Sequence, residues 1–289
     1  MDTATLPPVA TEVVRTPAAD TRPERIETMT GLTRDQVDDL VERVAGHGLW
    51  SLRRRRALDP RRAVVAVLLY LRHNLSQPLL AELFGCSQPT ISRLVTLLLP
   101  VLTQVLAATT EATAERELRS TVRVDGFLVP IGDRRKDTYT SGMYSGKRHR
   151  CGFNVQVVAS WHGRLVMTGR PQPGAMHDAR AFRESGLAEV FAGRMHADGG
   201  PGGFADTAYT GTGLMVPKRR TGPDQPLSEH IRRFNKTIAS HRACVERVIA
   251  HLKNWKILAT GYRRLLANFP ATLAAVTALE IYRTSTSAS

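Results

Sequence analysis

The segment from Ser76 to Leu99, SQPLLAELFGCSQPTISRLVTLLL, reads as two helices meeting at a tight turn. Ser76 and Ser87 stand where N-cap hydroxyls belong, and Gly85 stands where a left-handed C-cap is needed. Ala81 is small where the helices cross, and Ile91 fills the core. Leu80, Phe84, Cys86 and Leu94 take the other inward positions. Gln88, Thr90, Ser92 and Arg93 then face outward at the start of the second helix, with side chains that can reach base edges or phosphates in a major groove. An ordinary helical hairpin needs caps and apolar spacing, but not this joint Ala, Gly and Ile pattern beneath a polar face. Residues 76–99 therefore read as a DNA-binding helix-turn-helix.

Upstream the texture is also helical. Thr33 with Gln36 spells a capping box, followed by Val37, Leu40, Val41 and Val44 on one face. Asp59 and Pro60 start a second helix that is apolar nearly all round from Ala63 to Leu71, the expected centre of a helical domain over residues 30–118. Arg53 to Arg56 suit phosphate contacts, although such a run is more often a solvated linker. Residues 1–29 are rich in Pro, Thr and Ala without apolar periodicity and are expected to be a disordered leader.

Downstream, residues 119–289 change to short β-type runs: Thr121 to Ile131, Phe153 to Ala159 and Arg164 to Thr168. Helices are expected at Asp178 to Phe191, Lys236 to Leu258 and Pro270 to Tyr282. Strands followed by a helix, then strand and helix again, make a mixed α/β domain. Gly199 to Gly203 reads as a turn, because the Lys-Ser/Thr pair and the helix that follow a phosphate-cradling loop are absent.

Composition narrows the partner. The chain has 289 residues, 42% of them apolar, enough for one large domain or two ordinary ones. Lys and Arg total 40 against 26 Asp and Glu, a formal charge of +14, and 34 of the 40 are Arg. Guanidinium forks suit phosphate, so the excess points to a polyanion such as nucleic acid. Arg-rich codon usage explains the Arg-to-Lys ratio but not the net charge. Three dispersed cysteines indicate neither a disulfide framework nor a zinc site and fit a reducing cytoplasm. The longest apolar run, Ala63 to Leu71, is too short to span a bilayer, so no membrane partner is expected.

Acidic residues form a second set of candidates. In Val122-Arg123-Val124-Asp125-Gly126 a carboxylate emerges from an apolar strand beside a residue without a side chain, as a metal ligand would; taken alone, a strand-ending Asp before a turn is the commoner case. Asp206 in Phe204-Ala205-Asp206-Thr207 is a second candidate, with Asp198 a competitor that periodicity does not separate. Glu246 is a third. It shares a helix face with Arg242 and Lys253, either as a salt-bridge ladder or as an acid that holds a cation between bases that hold phosphates. Asp178 reads as the N-cap of its helix, with a metal role for it and His177 as the alternative.

These segments together carry a resemblance. Val124-Asp125-Gly126, Tyr144-Ser145-Gly146-Lys147-Arg148-His149-Arg150, Pro173-Gly174-Ala175-Met176-His177-Asp178, Asp206-Thr207-Ala208-Tyr209-Thr210-Gly211 and Val245-Glu246 to Trp255-Lys256 resemble bacterial insertion-sequence transposases. The likeness is to the DDE superfamily branch related to Harbinger elements, including its N-terminal helix-turn-helix, and runs from about Gly31 to Tyr282. It implies a ribonuclease H-like catalytic domain whose metal-binding acids are Asp125, Asp206 and Glu246, which decides for Asp206 over Asp198. Arg242 and Lys253 match the basic members of the motif around the third acid. Ala239 stands where related elements often carry Tyr, and Ala208 where Gly is frequent.

The implied activity is binding of terminal inverted repeats, then phosphodiester cleavage and strand transfer assisted by two Mg²⁺ ions, for which Mn²⁺ substitutes. The implied partners are double-stranded DNA, as element ends and as target, and further copies of the chain assembled on DNA at the nucleoid. Lys147, Arg148 and Arg150, the cluster Lys218 to Arg220, and Arg242 with Lys253 would offset the acidic centre's repulsion of DNA. A non-catalytic DNA-binding protein descended from such an element would use the helix-turn-helix and need none of the acids. A ribonuclease H-like nuclease without strand transfer is a third reading.

Overall fold

The computed structural model describes residues 23–51, 57–132, 142–193, 202–220, 222, 226–240 and 242–285. Its first element, α1 (Pro23–Thr30), begins within residues 1–29, the stretch expected to be a disordered leader, and ends one residue past it. Ile26 packs on the core, and Thr30 donates to the Ile26 carbonyl at 2.7 Å, so this turn is tied down. Residues 1–22 lie outside the described residues, as do Arg53 to Arg56.

The caps read from sequence set the next helices. Thr33 Oγ1 accepts the Gln36 N–H at 3.3 Å and Gln36 Oε1 accepts the Thr33 N–H at 3.0 Å, opening α2 (Arg34–Gly46). A short α3 (Gly48–Ser51) follows. Asp59 caps α4 (Pro60–His73) by accepting the Arg62 N–H at 3.0 Å, and Ala63 to Leu71 are buried apart from half-buried Val65. The helix-turn-helix is α5 (Gln77–Phe84) and α6 (Gln88–Val105), joined through Gly85 at φ +62°. Ser76 and Ser87 occupy the N-cap positions, but neither side chain caps its helix; the Ser87 hydroxyl pairs with that of Thr90 at 2.9 Å instead. Helix α6 also runs past Leu99, carrying Pro100 with its ring exposed to solvent. Then comes α7 (Ala107–Glu117).

The second half is built on a six-stranded mixed sheet. Strand β1 (Val122–Pro130) pairs antiparallel with β3 (Arg150–Ser160), whose other side takes β2 (Tyr144–Ser145), β4 (Leu165–Thr168) and β5 (Gln172–Pro173). The helix expected over Asp178 to Phe191 is two, α8 (Asp178–Glu184) and α9 (Leu187–Phe191), because Gly186 turns left-handed at φ +90°. Next, β6 (Gly203–Phe204) adds parallel to the free edge of β1. Gly203 was expected in a turn; a Cβ there would come within 2.8 Å of Leu214 and 3.0 Å of Phe191, so close packing suits glycine at this strand position. The helix expected over Lys236 to Leu258 is again two, α10 (Glu229–Ser240) and α11 (Arg242–Asn254), followed by a 3₁₀ turn from Lys256 to Leu258. The last helix is α12 (Phe269–Ser285).

Alternation along β1 divides the core. Val122 and Val124 pack with Phe182, Phe191 and Tyr209 under α8 and α9. Phe127 and Val129 face α11 and α12 in a larger core continuous with the N-terminal helices. Helix α12 packs on α6 and α7 as well as on β4, and Tyr282 donates to the Gln36 carbonyl at 3.2 Å. Among the described residues no single helix is long and apolar enough to cross a membrane.

Candidate active site

Asp125 lies at the middle of β1, on the α11 side of the sheet by strand alternation, and its Oδ1 accepts the Gly126 N–H at 2.8 Å. The parallel strand β6, paired Val122 to Gly203 and Arg123 to Phe204, ends two residues before Asp206, whose charge acts on Asp125. Asp206 begins the 3₁₀ turn Thr207–Tyr209 by accepting the Ala208 N–H at 2.8 Å. Burial pushes the Asp125 carboxyl above the usual carboxylate range; the Gly126 N–H opposes this, and the charges of Asp206 and Asp178 raise it further. A desolvated carboxylate with other acids beside it is what a divalent cation relieves, and hard oxygen donors are the set that Mg²⁺ prefers. The residues present therefore fit such an ion.

Asp178 joins these acids from the other face of the sheet. The N-cap of α8 is His177, and Asp178 is the first helical residue, not the cap. Its Oδ1 accepts Asn154 Nδ2–H at 2.9 Å and would lie 2.8 Å from a Cβ at Gly126. Asn154 and Gln156 are carboxamides buried mid-strand in β3, which the sequence reading passed over; two polar residues at i and i+2 in an otherwise apolar run were the available signal.

Glu246 is exposed on α11, which packs on β1 and β3 through Val245, Val248, Ile249 and Leu252. Lys253, two turns on, holds its Nζ 5.9 Å from the Phe127 ring, two residues from Asp125 on the same strand face. Among the described residues no three His, Cys, Asp or Glu side chains form a ready-made metal cage. The centre is open. Asp198 and the side chain of Arg242 lie outside the described residues.

A cleft of about 430 Å³ is lined by Gly126, Lys147, Arg148, Asn154, His177, Asp178 and Ala208 among others; Asp125, Asp206 and Glu246 are not in its lining. Lys147, Arg148 and Arg150 are exposed on and beside the β2–β3 turn, where His149 takes a left-handed φ of +51°. Arg219 donates to Thr207 Oγ1 at 3.0 Å, next to Asp206, and Asn235 of α10 clamps the Lys218 backbone with two 2.9 Å bonds. On the helix-turn-helix, Gln88 and Arg93 are exposed and Thr90 and Ser92 half-buried, whereas Leu80, Ala81 and Ile91 are buried. Trp255 is fully buried, so it packs and does not meet solvent.

The profile of the DDE superfamily endonucleases matches residues 124–280, spanning Asp125, Asp206 and Glu246, and the helix-turn-helix of DDE superfamily endonucleases matches residues 56–108. The chain belongs to the DDE superfamily endonucleases. It is also 35% identical over 242 residues to a Streptomyces albus G protein described as "Putative transposase for insertion sequence element IS112", covering 82% of this chain and 86% of that one. No solved structure matches the chain. In this endonuclease the helix-turn-helix match includes all of α4, α5 and α6, and the catalytic match ends within α12.

Proposed function

We propose that the chain is a transposase that binds the terminal inverted repeats of its own element through α5 and α6, then cuts and rejoins DNA at a centre formed by Asp125, Asp206 and Glu246. One observation carries the reading: Asp206, two residues past the end of β6, the parallel neighbour of β1, lies near enough to Asp125 for its charge to raise the Asp125 carboxyl. The likeness to an insertion-sequence protein over most of both chains supports transposition rather than simple hydrolysis. A sheet in which β4, β3 and β1 run antiparallel and β6 adds parallel to β1 supports a ribonuclease H-like fold.

Two Mg²⁺ ions, with Mn²⁺ as substitute, would supply activation of the attacking oxygen and stabilisation of the leaving 3′-oxygen. Asp125 and Asp206 would hold them from the sheet, and Glu246 from α11. Mg²⁺ is commonly held by one or two carboxylates together with substrate phosphates, so an open centre suits a DNA substrate. Lys147 and Arg148 on one side, and Lys253 with Arg242 on the other, would grip phosphates flanking the scissile bond and offset its repulsion from the acids. Gln88, Thr90, Ser92 and Arg93 would read the repeat. Cutting two element ends together calls for more than one copy of the chain on DNA.

Incubating the purified protein and Mg²⁺ with labelled DNA carrying the repeats that flank its gene tests this. Cleaved ends joined to target DNA are expected. Cleavage without joining would leave only a nuclease, and binding without cleavage only a DNA-binding protein.

A further inference from the structure

Four side chains form a line of hydrogen bonds whose donors all point one way. Tyr209 donates from its hydroxyl to Gln156 Oε1 at 2.6 Å, Gln156 Nε2–H donates to Asn154 Oδ1 at 2.8 Å, and Asn154 Nδ2–H donates to Asp178 Oδ1 at 2.9 Å. Asn154 is also fixed by donating to the Met176 carbonyl at 2.9 Å. Tyr209 and Gln156 are 0% exposed and Asn154 8%, so the line runs through the sheet's interior. Gly126 leaves the space it occupies, since a Cβ there would stand 2.7 Å from Gln156 Nε2 and 3.2 Å from Asn154 Oδ1.

Buried polar groups in a strand cost stability unless they are satisfied, and an apolar pair would do the packing more cheaply. This line ends on a carboxylate that lines the cleft beside Gly126 and whose charge acts on Asp125. A donor aimed at an acceptor fixes its direction.

We infer that Asp178 is a fourth acid of the centre, acting on the hydration shell of the divalent cation, and that Tyr209, Gln156 and Asn154 are positioning residues that hold it there. This rests on the proposed metal centre. With one oxygen of Asp178 engaged by Asn154, Asp178 would reach the cation through the waters that Mg²⁺ retains. Groups in that outer layer typically change metal affinity by about 10- to 100-fold.

Mn²⁺ titration of the full-length protein, read by the loss of free-ion paramagnetic resonance signal, tests the inference without relying on cleavage. Asp178→Asn keeps the shape and is expected to weaken Mn²⁺ binding by about tenfold or more, with an unchanged metal-free melting temperature. Tyr209→Phe keeps the ring and removes the first donor, and is expected to weaken binding by about threefold, the scale of one hydrogen bond. In the Asp178→Asn background the Tyr209→Phe effect should vanish, because the line no longer ends on a charge. Asp178→Asn binding Mn²⁺ like its parent, while Asp125→Asn does not, would overturn this inference alone. A persistent Tyr209→Phe effect in the double variant would remove the positioning role. If Asp125→Asn also left binding unchanged, the metal centre itself would fall and the inference with it.

Discussion

The indole N–H of Trp255 donates to Glu280 Oε2 at 3.0 Å, and both residues are buried, at 0% and 2% exposure. Arg283 pairs with the same carboxylate at 2.6 Å, and the Arg72 guanidinium lies 5.5 Å from the centroid of the Trp255 ring. The turn after α11, the last helix and α4 of the helix-turn-helix region thus meet at one acid. Glu280→Ala leaves the Trp255 N–H and a half-buried cation without their acceptor, so a loss of about 3–5 kcal/mol is expected in urea denaturation. A loss under about 1 kcal/mol would show that the carboxylate is not a structural tie.

Gly126 is fixed by space, not by backbone conformation. The methyl of Gly126→Ala would stand 2.7 Å from Gln156 Nε2 and 2.8 Å from Asp178 Oδ1, with both groups held in hydrogen bonds. We expect destabilisation of about 1–3 kcal/mol, as for an overpacked core, together with loss of DNA cleavage. A variant as stable and as active as its parent would mean that the line of side chains moves freely.

At the helix-turn-helix, Arg93→Ala is expected to weaken binding to element ends and to lower the slope of log affinity against log salt by about one. Gly85→Ala places a Cβ at φ +62° and is expected to cost about 1 kcal/mol of stability while leaving the recognition residues in place. Equal DNA affinity and salt slope in Arg93→Ala and parent would remove that helix face from the interface.

Asp39 and Tyr282 give the stability a pH dependence. Burial alone would raise the Asp39 carboxyl, but hydrogen bonds from Tyr282 and Arg43 outweigh it and hold the group below the usual carboxylate range. Burial, then the bond to Asp39, pushes the Tyr282 phenol up. The lowered carboxyl contributes stability above its unfolded value that is lost as pH falls through the folded one. The raised phenol contributes below its unfolded value, and that is lost as pH rises through the folded one. Melting curves of Tyr282→Phe should therefore converge on those of the parent at both acid and alkaline extremes and differ most near neutrality. A constant difference at every pH would contradict this pairing.

Much of this architecture was legible where periodicity and caps agree. Thr33 with Gln36 and Asp59 with Pro60 set helix starts from local chemistry, and the apolar run around Asp125 could only be a strand with buried neighbours. What failed was set by pairing or by single residues. Strand β6 is two residues long, one of them Gly203, and exists because the edge of β1 accepts it. Gly186 divides one expected helix into two by adopting φ +90°. In the candidate site the residue types of Asp125 and Asp206 were readable, but their closeness follows from the β1–β6 register, which no local pattern encodes. Asp178 was read as a cap because its neighbours in sequence suggest one; its partner Asn154 lies 24 residues away on β3.

In the proposed function Asp125, Asp206 and Glu246 serve the cutting of DNA and not its recognition. The most direct measurement follows end binding and strand cleavage in parallel, on the same labelled DNA with Mg²⁺, for the parent and for Asp125→Asn, Asp206→Asn and Glu246→Gln. Each substitution is expected to abolish cleavage while end affinity stays within about twofold of the parent, a change below about 0.5 kcal/mol. Cleavage that survives any of the three, or binding lost in step with it, would contradict the account.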